Sequence, residues 1–271
     1  MDESVTQAKR DLQSMSFPEL CEWINEQGEK PFRAKQVYEW VHVKLASSFD
    51  EMSNLPKSLR EKLADEFYEN PLTILKKQVS KRQDTMKFLF SLPDGNTVES
   101  VFMKYNYGNS VCISSQVGCK MGCTFCASTL GGLVRSLTVG EMLSQIYEIQ
   151  KETGQRVSNV IVMGMGEPLD NYENLLRFIR MLSDEQGLHI SQRNITVSTC
   201  GLVEKIYRLA EEKLQITLAI SLHAPNDEIR RRTMPVANRY TIDEIMKACR
   251  HYEKVTGRRI TFEYSMIRGV N

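Results

Sequence analysis

The sequence has almost no excess of charge of either sign. Its 271 residues include 35 lysines and arginines against 34 aspartates and glutamates, which leaves a net charge of +1. A protein-wide positive field is therefore excluded, so any affinity for nucleic acid must come from local basic patches. No hydrophobic run approaches the roughly 20 residues that span a bilayer. No signal peptide is expected, because the first residues, MDES, lead into a charged helical pattern.

Histidine is scarce, whereas cysteine is not. Of the four histidines, the one nearest in sequence to the main cysteine cluster is His189. The seven cysteines are odd in number, and three of them lie close together. This pattern argues against a framework of disulfides and for a reducing compartment. We therefore expect a cytoplasmic protein.

The three clustered cysteines, Cys119, Cys123 and Cys126, follow the spacing C-x3-C-x2-C. A structural zinc site takes four ligands, and a fully ligated [4Fe-4S] cluster takes four cysteines. Three cysteines leave one iron open, and that iron can bind the amino and carboxylate groups of S-adenosylmethionine (SAM). The spacing resembles the radical SAM signature. The alternative is a zinc knuckle that borrows a histidine, and no histidine lies near this loop.

The order of the predicted elements indicates three regions. Residues 1–72 contain several short helical patterns, and residues 73–106 contain two β-rich runs around the turn Asp94–Asn96. Residues 107–271 alternate helices with five predicted strands: Val111–Ser115, Asn159–Met165, Ile195–Thr199, Gln215–Leu222 and Arg259–Ile267. Five βα units do not complete an eightfold barrel. We predict an α/β fold, a partial open (βα) barrel with an N-terminal helical accessory domain and a β-hairpin connector.

Three of the predicted strands end in residues that suit the binding of SAM. The segment GMGEP (164–168) places Gly166 and Glu167 after the second strand, where Glu167 offers a carboxylate to an ammonium group. Ser198 closes the third strand, and the fourth closes with Ser221, Leu222 and His223. Taken singly, Ser198 can equally be a satisfied hydroxyl, and His223 can be a structural imidazole.

Long stretches of the chain resemble the radical SAM family that methylates C2 of adenine in 23S ribosomal RNA and in transfer RNA. The matching segments are VCISSQVGCKMGCTFC (111–126), VMGMGEPLDNYEN (162–174), NITVSTCG (194–201), LAISLHAPNDEIR (218–230) and FEYSMIRGVN (262–271). The segment KPFRAKQVYEWV (30–41) is similar to that family's accessory domain. The resemblance implies a [4Fe-4S] cluster on Cys119, Cys123 and Cys126. It implies SAM-binding roles for Gly166, Glu167, Ser198, Ser221, Leu222 and His223.

The resemblance also implies roles for two further residues. Glu99 matches the position to which the family assigns an acid–base role, although by itself it is typical of a solvated strand carboxylate. Cys112 matches the cysteine that resolves the protein–RNA adduct through a transient disulfide. Without the resemblance, Cys112 is a small buried hydrophobe.

The implied reaction needs a radical because C2 of adenine is electron-poor. In the family, one SAM methylates a cysteine near the C-terminus. A second SAM gives a 5′-deoxyadenosyl radical, which takes a hydrogen atom from the methylthio group, and the carbon radical then adds to the ring. The implied partners are 23S rRNA, tRNA and an external electron donor such as a flavodoxin. A monomer is expected.

The sequence departs from the family's pattern at its end. It stops at Gly269–Asn271, within a motif that normally continues, and the methyl-carrying cysteine has no match in the context of Cys21, Cys200 or Cys249. We therefore expect the chain to be a fragment or truncated form that does not complete the methyl transfer as given.

Two other functions stay open at this point. A related family methylates C8 of the same ribosomal adenine and confers antibiotic resistance, and the choice between C2 and C8 depends on details of the pocket. A metal-stabilised RNA-binding protein without enzymatic activity is the other. The basic residues expected to meet RNA are Lys30, Arg33, Lys35 and the triplet Arg230–Arg232. Taken singly, each of the first three is more typical of a solvated surface, and the triplet can also be a solvated helix face.

Overall fold

The computed structural model describes residues 9–68 and 72–271. The charged helical pattern predicted after Met1–Ser4 lies outside the described residues. In the described ranges, no helix combines the length and the apolar character needed to cross a membrane.

The N-terminal region folds as three helices around a hydrophobic core of its own. The helices are α1 (Phe17–Glu26), α2 (Phe32–His42) and α3 (Lys57–Glu66). Helix α1 begins at a capping box, in which Ser16 and Glu19 satisfy each other's backbone N–H groups, and Pro18 stands in its first turn. Its apolar stripe, Leu20, Trp23 and Ile24, is buried, as the helical spacing predicts.

The connector contains three antiparallel strands, where the sequence predicts two. Strands β2 (Thr85–Ser91) and β3 (Thr97–Tyr105) form the predicted hairpin, with Ser91 opposite Thr97. The additional strand, β1 (Thr73–Val79), pairs with β2 at the edge of the sheet. Most of its residues are exposed, so it lacks the alternation of polar and apolar residues that reveals a half-buried strand.

The connector continues directly into the barrel, because all these strands belong to one eight-stranded sheet. The order is β1-β2-β3-β4-β7-β8-β9-β10, and the last five run parallel to one another. Their bounds are β4 (Gly108–Ile113), β7 (Asn159–Val162), β8 (Ile195–Thr199), β9 (Thr217–Ser221) and β10 (Ile260–Glu263). In the described part of the chain β1 and β10 do not pair, so the barrel is partial and open, which confirms the predicted fold.

Helices cover one face of the parallel strands. They are α4 (Val139–Thr153), α5 (Tyr172–Leu182), α6 (Val203–Glu211) and α8 (Ile242–Thr256). The sequence pattern predicts these helices over residues 138–153, 172–183, 202–212 and 241–256, so each bound agrees to about one residue. The residues of the strands alternate between two faces. Val111, Val160 and Val197 are buried in the helix-side core, whereas Cys112, Ile161 and Thr196 share the opposite, concave face.

The N-terminal region docks on α4 through polar contacts. At the start of α4, the Thr138 hydroxyl donates to Asp11 at 2.8 Å, and the Gly140 N–H donates to the Ser14 hydroxyl at 2.7 Å. Further along the helix, His42 Nδ1 lies 2.6 Å from the Tyr147 hydroxyl in a buried contact. The N-terminal unit is therefore fixed to the barrel at two points along one helix.

Candidate active site

The cysteine loop is closed by a small ladder that sequence patterns did not predict. Strands β5 (Gln116–Gly118) and β6 (Leu133–Ser136) pair antiparallel, and the Cys119 N–H donates to the Gly132 carbonyl at 2.9 Å. A second hydrogen bond joins the cysteine loop to α7 (Asp227–Thr233), a short helix that was also not predicted. The Thr124 N–H donates to the Thr233 carbonyl at 2.9 Å. The loop is therefore held in place at both sides of its cysteines.

The environment of the three thiols suits a cluster. Burial raises the pKa of Cys123 to about 11, with the Cys126 and Cys119 thiols adding to the rise, and burial also raises the pKa of Cys119. Such thiols lose their protons when a metal centre binds. Within the described ranges, no three His, Cys, Asp or Glu side chains converge on the position of a single metal ion. Three cysteines on one loop suit a [4Fe-4S] cluster, in which each cysteine ligates a different iron and one iron stays open, better than a structural zinc site, which takes four ligands.

The three cysteines share one cavity with the carboxyl ends of the parallel strands. Gly166 and Glu167 enter it after β7, Ser198 from β8, Ser221 and His223 from the end of β9, and Glu263 from β10. This edge is where ligands collect in parallel α/β folds. Of the sequence-predicted SAM-binding residues, all but Leu222 line this cavity.

Glu167 is a buried carboxylate that joins two strand ends. Its Oε1 accepts the Leu169 N–H at 3.1 Å, and its Oε2 accepts the Cys200 N–H at 2.8 Å. Burial raises its pKa, while these hydrogen bonds act in the opposite direction. The side chains of Thr199 and Cys200 also donate to this carboxylate. An ammonium group in the cavity would take the place of one of these two side-chain donors, which the carboxylate can exchange without losing its backbone contacts.

Gly166 allows the close approach of two backbone segments. Its φ is +99°, and an added Cβ would lie 2.5 Å from the Cβ of Gln116. The Gln116 side chain in turn accepts the Glu167 N–H at 2.9 Å. The predicted strand Asn159–Met165 accordingly ends early, at Val162, because the chain turns here toward β5. The two glycines of GMGEP are thus explained by chain packing as well as by access for a ligand.

The hydroxyl groups of Ser198 and Ser221 lie 3.3 Å apart across the ends of β8 and β9. His223 follows with φ of +52°, its Nδ1 accepts the Ser265 N–H at 3.0 Å, and its ring packs edge-on against Phe125 of the cysteine loop. Burial lowers the pKa of His223, with Arg230 adding to the fall, so the imidazole is neutral at pH 7. Leu222 contributes through its backbone, which donates to the Glu263 carbonyl.

Glu99 and Cys112 lie on the concave face but outside the lining of the cavity. Val101 stands opposite Cys112 in the β3–β4 ladder, so Glu99, two residues before Val101, is a diagonal neighbour of Cys112. Glu99 pairs with Lys87 at 2.6 Å and is half-exposed. Burial raises the pKa of Cys112 to about 11, and Glu263 adds to the rise.

Sequence reasoning missed Glu263, which stands opposite Ser221 in the β9–β10 ladder. It lines the cavity, and burial raises its pKa. The alternation in ITFEY was the available signal, because it places Thr261 and Glu263 on one face of an otherwise apolar strand.

Two predictions need correction. The seven cysteines are all free thiols, so the predicted disulfide bond has no support within this chain. Arg230 was expected to meet RNA together with Arg231 and Arg232, but its side chain is fully buried, and only the other two are exposed. A fully buried guanidinium cannot contact a phosphate, so the prediction for Arg230 is wrong.

The fold and the three-cysteine loop define a radical SAM enzyme, and comparisons with known proteins agree. Residues 113–271 match the model of the radical SAM superfamily, and residues 10–68 match the model of the ribosomal RNA large subunit methyltransferase N-terminal domain. A crystal structure of a radical SAM methyltransferase from Sphaerobacter thermophilus superposes with a TM-score of 0.93 at 44% identity. It covers 96% of this chain and 77% of that one.

Two similar relatives are each described as a probable dual-specificity RNA methyltransferase RlmN. The protein from Lachnospira eligens is 62% identical over 96% of this chain and 75% of its own length. The protein from Lachnoclostridium phytofermentans is 57% identical over 99% of this chain and 75% of its own length. The chain therefore belongs to the RlmN family of radical SAM methyltransferases, whose cofactors are a [4Fe-4S] cluster and SAM. Family membership makes it an enzyme and sets aside the non-enzymatic alternative.

Proposed function

We propose that this protein methylates C2 of adenine in 23S ribosomal RNA and in transfer RNA. The observation that carries the proposal is the single cavity in which three cysteines face the carboxyl ends of β7, β8 and β9. Cys119, Cys123 and Cys126 hold the [4Fe-4S] cluster. When bound, the cluster supplies the electron for reductive cleavage of SAM.

The strand ends bind and orient SAM in this proposal. Glu167 accepts a hydrogen bond from the amino group, because it is a buried carboxylate that lines the cavity directly after the β7 turn. The ammonium group replaces the Thr199 hydroxyl or the Cys200 thiol as a donor. Gly166 lets the backbone approach, and the paired hydroxyls of Ser198 and Ser221 face the ribose or carboxylate. Leu222 fixes the position of His223 through its backbone. Phe125 packs edge-on against His223 and holds that ring at the wall of the cavity.

The concave face next to the cavity holds the groups that act on the base. Cys112 and its diagonal neighbour Glu99 lie on one face of β3 and β4. Cys112 resolves the adduct between protein and RNA, and Glu99 exchanges a proton after leaving its ion pair with Lys87. The raised pKa of Cys112 keeps its thiol protonated at pH 7 until a base is presented.

The regions of the chain divide this work. Residues 1–72 form the RNA-binding accessory domain, residues 73–106 the connector, and residues 107–271 the radical SAM core. The exposed Lys30 and Lys35 support an RNA-binding surface on the accessory helices. The protein acts as a monomer and receives its electrons from a flavodoxin-type protein. Its seven free thiols suit the reducing environment of the cytoplasm.

A gene deletion tests the proposal. Removing the gene that encodes this chain should abolish 2-methyladenosine in 23S rRNA and tRNA, measured by mass spectrometry of nucleosides, and a plasmid copy should restore it. Persistence of 2-methyladenosine contradicts the proposal, and loss of 8-methyladenosine instead identifies the C8 reaction.

In vitro, the anaerobically reconstituted chain should hold about four irons. The variant with all three loop cysteines changed to alanine should hold none.

A further inference from the structure

Arg230 is a fully buried cation whose hydrogen-bond acceptors are all neutral. It lies on α7 with no exposed surface. Its Nε donates to the Leu222 carbonyl at 3.2 Å, and its Nη2 donates to the carbonyls of Cys200 and Ser221 at 2.6 and 3.2 Å. No hydrogen-bond partner of Nη1 is found among the described residues. Burying a guanidinium without an anion is costly, so its retention here needs an explanation.

Two acidic residues lie on the same helix, Asp227 and Glu228, and neither forms an ion pair with Arg230 in the described part of the chain. Asp227 is three residues away, and its Oδ1 accepts the N–H of Ile242 at 2.7 Å. The described residues include no ion pair of Arg230 with a carboxylate. The guanidinium therefore holds the carboxyl ends of β8 and β9 together through backbone carbonyls. Asp227 acts on it only through space, without a direct ion pair.

The charge of Arg230 lies beside the cysteine loop. Helix α7 ends at Thr233, which accepts the Thr124 N–H, and Met234 packs against Cys123 and Cys200. The charge of Arg230 acts on the thiols of both cysteines and opposes the effect of burial on the pKa of Cys123. A negatively charged centre on this loop would be attracted by the buried charge of Arg230, and the attraction is strong because burial lowers the local dielectric constant.

From this geometry we infer that Arg230 is the internal counter-cation of the iron–sulfur centre and thereby sets its reduction potential. The inference rests on the proposed placement of the cluster on Cys119, Cys123 and Cys126. Three cysteinates bring more negative charge than the core of the cluster brings positive charge, and reduction adds one further electron. A fixed cation stabilises the reduced form more than the oxidised form. Arg230 thus acts by placing a fixed positive charge beside the cluster, and it does not need to touch the substrate.

The experiment compares the midpoint potential of the reconstituted cluster in matched variants. Arg230→Met removes the charge and the hydrogen bonds, Arg230→Gln removes the charge but keeps donors, and Arg230→Lys keeps the charge. Arg231→Met is the control, because Arg231 is the next residue of the same helix and is exposed. The potential is read by anaerobic redox titration monitored by electron paramagnetic resonance, so it does not depend on turnover.

The two neutral variants should shift the reduction equilibrium toward the oxidised cluster at least tenfold, which is a potential about 59 mV more negative for a one-electron couple. Arg230→Lys should stay near the wild-type value, and Arg231→Met should not move. A purely structural clamp would lower the unfolding temperature without shifting the potential, and that result overturns the inference.

Two further outcomes are also decisive. If neither neutral variant folds as apoprotein, the side chain is needed without the cluster, and the counter-cation role is refuted. If the wild-type chain itself takes up no iron and sulfide, the proposed placement of the cluster has failed. A loaded wild type whose potential matches that of Arg230→Met and Arg230→Gln refutes the role of Arg230 alone.

Discussion

Replacing Glu167 by glutamine separates two roles of one carboxylate. The substitution keeps the shape of the side chain and removes its charge. A glutamine carbonyl can accept one of the two backbone N–H groups, from Leu169 or Cys200, and its amide NH₂ group then faces the other. One buried N–H loses its acceptor, which costs about 1–3 kcal/mol of stability.

The same change should weaken SAM binding by more than the loss of stability explains. A hydrogen bond between an ammonium and a carboxylate contributes about 1.5–3 kcal/mol, so Kd should rise roughly 10- to 150-fold. Calorimetry on the cluster-loaded protein measures Kd, and urea titration measures stability. Leu175→Ala is the control, because it removes a fully buried side chain of α5 outside the cavity lining at a cost of about 2–5 kcal/mol. Unchanged Kd in Glu167→Gln, or an equal rise in Leu175→Ala, removes Glu167 from the SAM site.

Three further predictions test the electrostatics of the chain. Glu263→Gln should lower the pKa of Cys112 from about 11, because burial raises that pKa first and Glu263 raises it further. Iodoacetamide labelling of Cys112, followed across pH by peptide mass spectrometry, should show its half-maximal rate at a lower pH. An unchanged midpoint of the labelling rate contradicts the prediction. Burial lowers the pKa of His42 to about 3 in the folded protein, whereas the unfolded value is near 6.5. The neutral His42 therefore contributes its full share of the folding free energy above pH 6.5. Between pH 6.5 and pH 3 that contribution falls by about 1.4 kcal/mol per pH unit. Urea titrations at pH 7 and pH 5 should show a smaller loss in His42→Phe than in wild type, and equal losses refute it. Changing both Lys30 and Lys35 to alanine should weaken RNA binding and reduce its salt slope by up to about 2, measured by filter binding; an unchanged slope places the RNA elsewhere.

The sequence predicts those elements best whose local signals agree with their burial. Helix α4 was located to one residue, because the capping box of Thr138 and Glu141 marks its start and Gly154 its end. Strand β1 was missed because it is an exposed edge strand whose side chains meet little of the core. Helix α7 was missed because its seven residues are mostly charged, which is typical of a solvated segment.

The site was predicted in part for the same reasons. The cysteine spacing and the strand-end residues are local signals, and the structure gathers most of them around one cavity. The burial of Arg230 is a tertiary property, since its acceptors come from Cys200, Ser221 and Leu222 at the ends of two other strands. No local pattern distinguishes it from the exposed Arg231. The placement of Glu263 beside Ser221 likewise depends on which strands become neighbours.

The two contacts between the N-terminal region and α4 fix the distance between that region and the cysteine-lined cavity. The contacts of Asp11 and Ser14 hold the first turn of α4, and His42 lies against Tyr147 further along the same helix. A helix of 15 residues is about 22 Å long and does not stretch. The spacing between the accessory surface and the cysteine-lined cavity is therefore constant. We expect an RNA to be accepted when its folded shape places the target adenine at that distance from the backbone phosphates that meet Lys30 and Lys35, whatever the sequence that lies between.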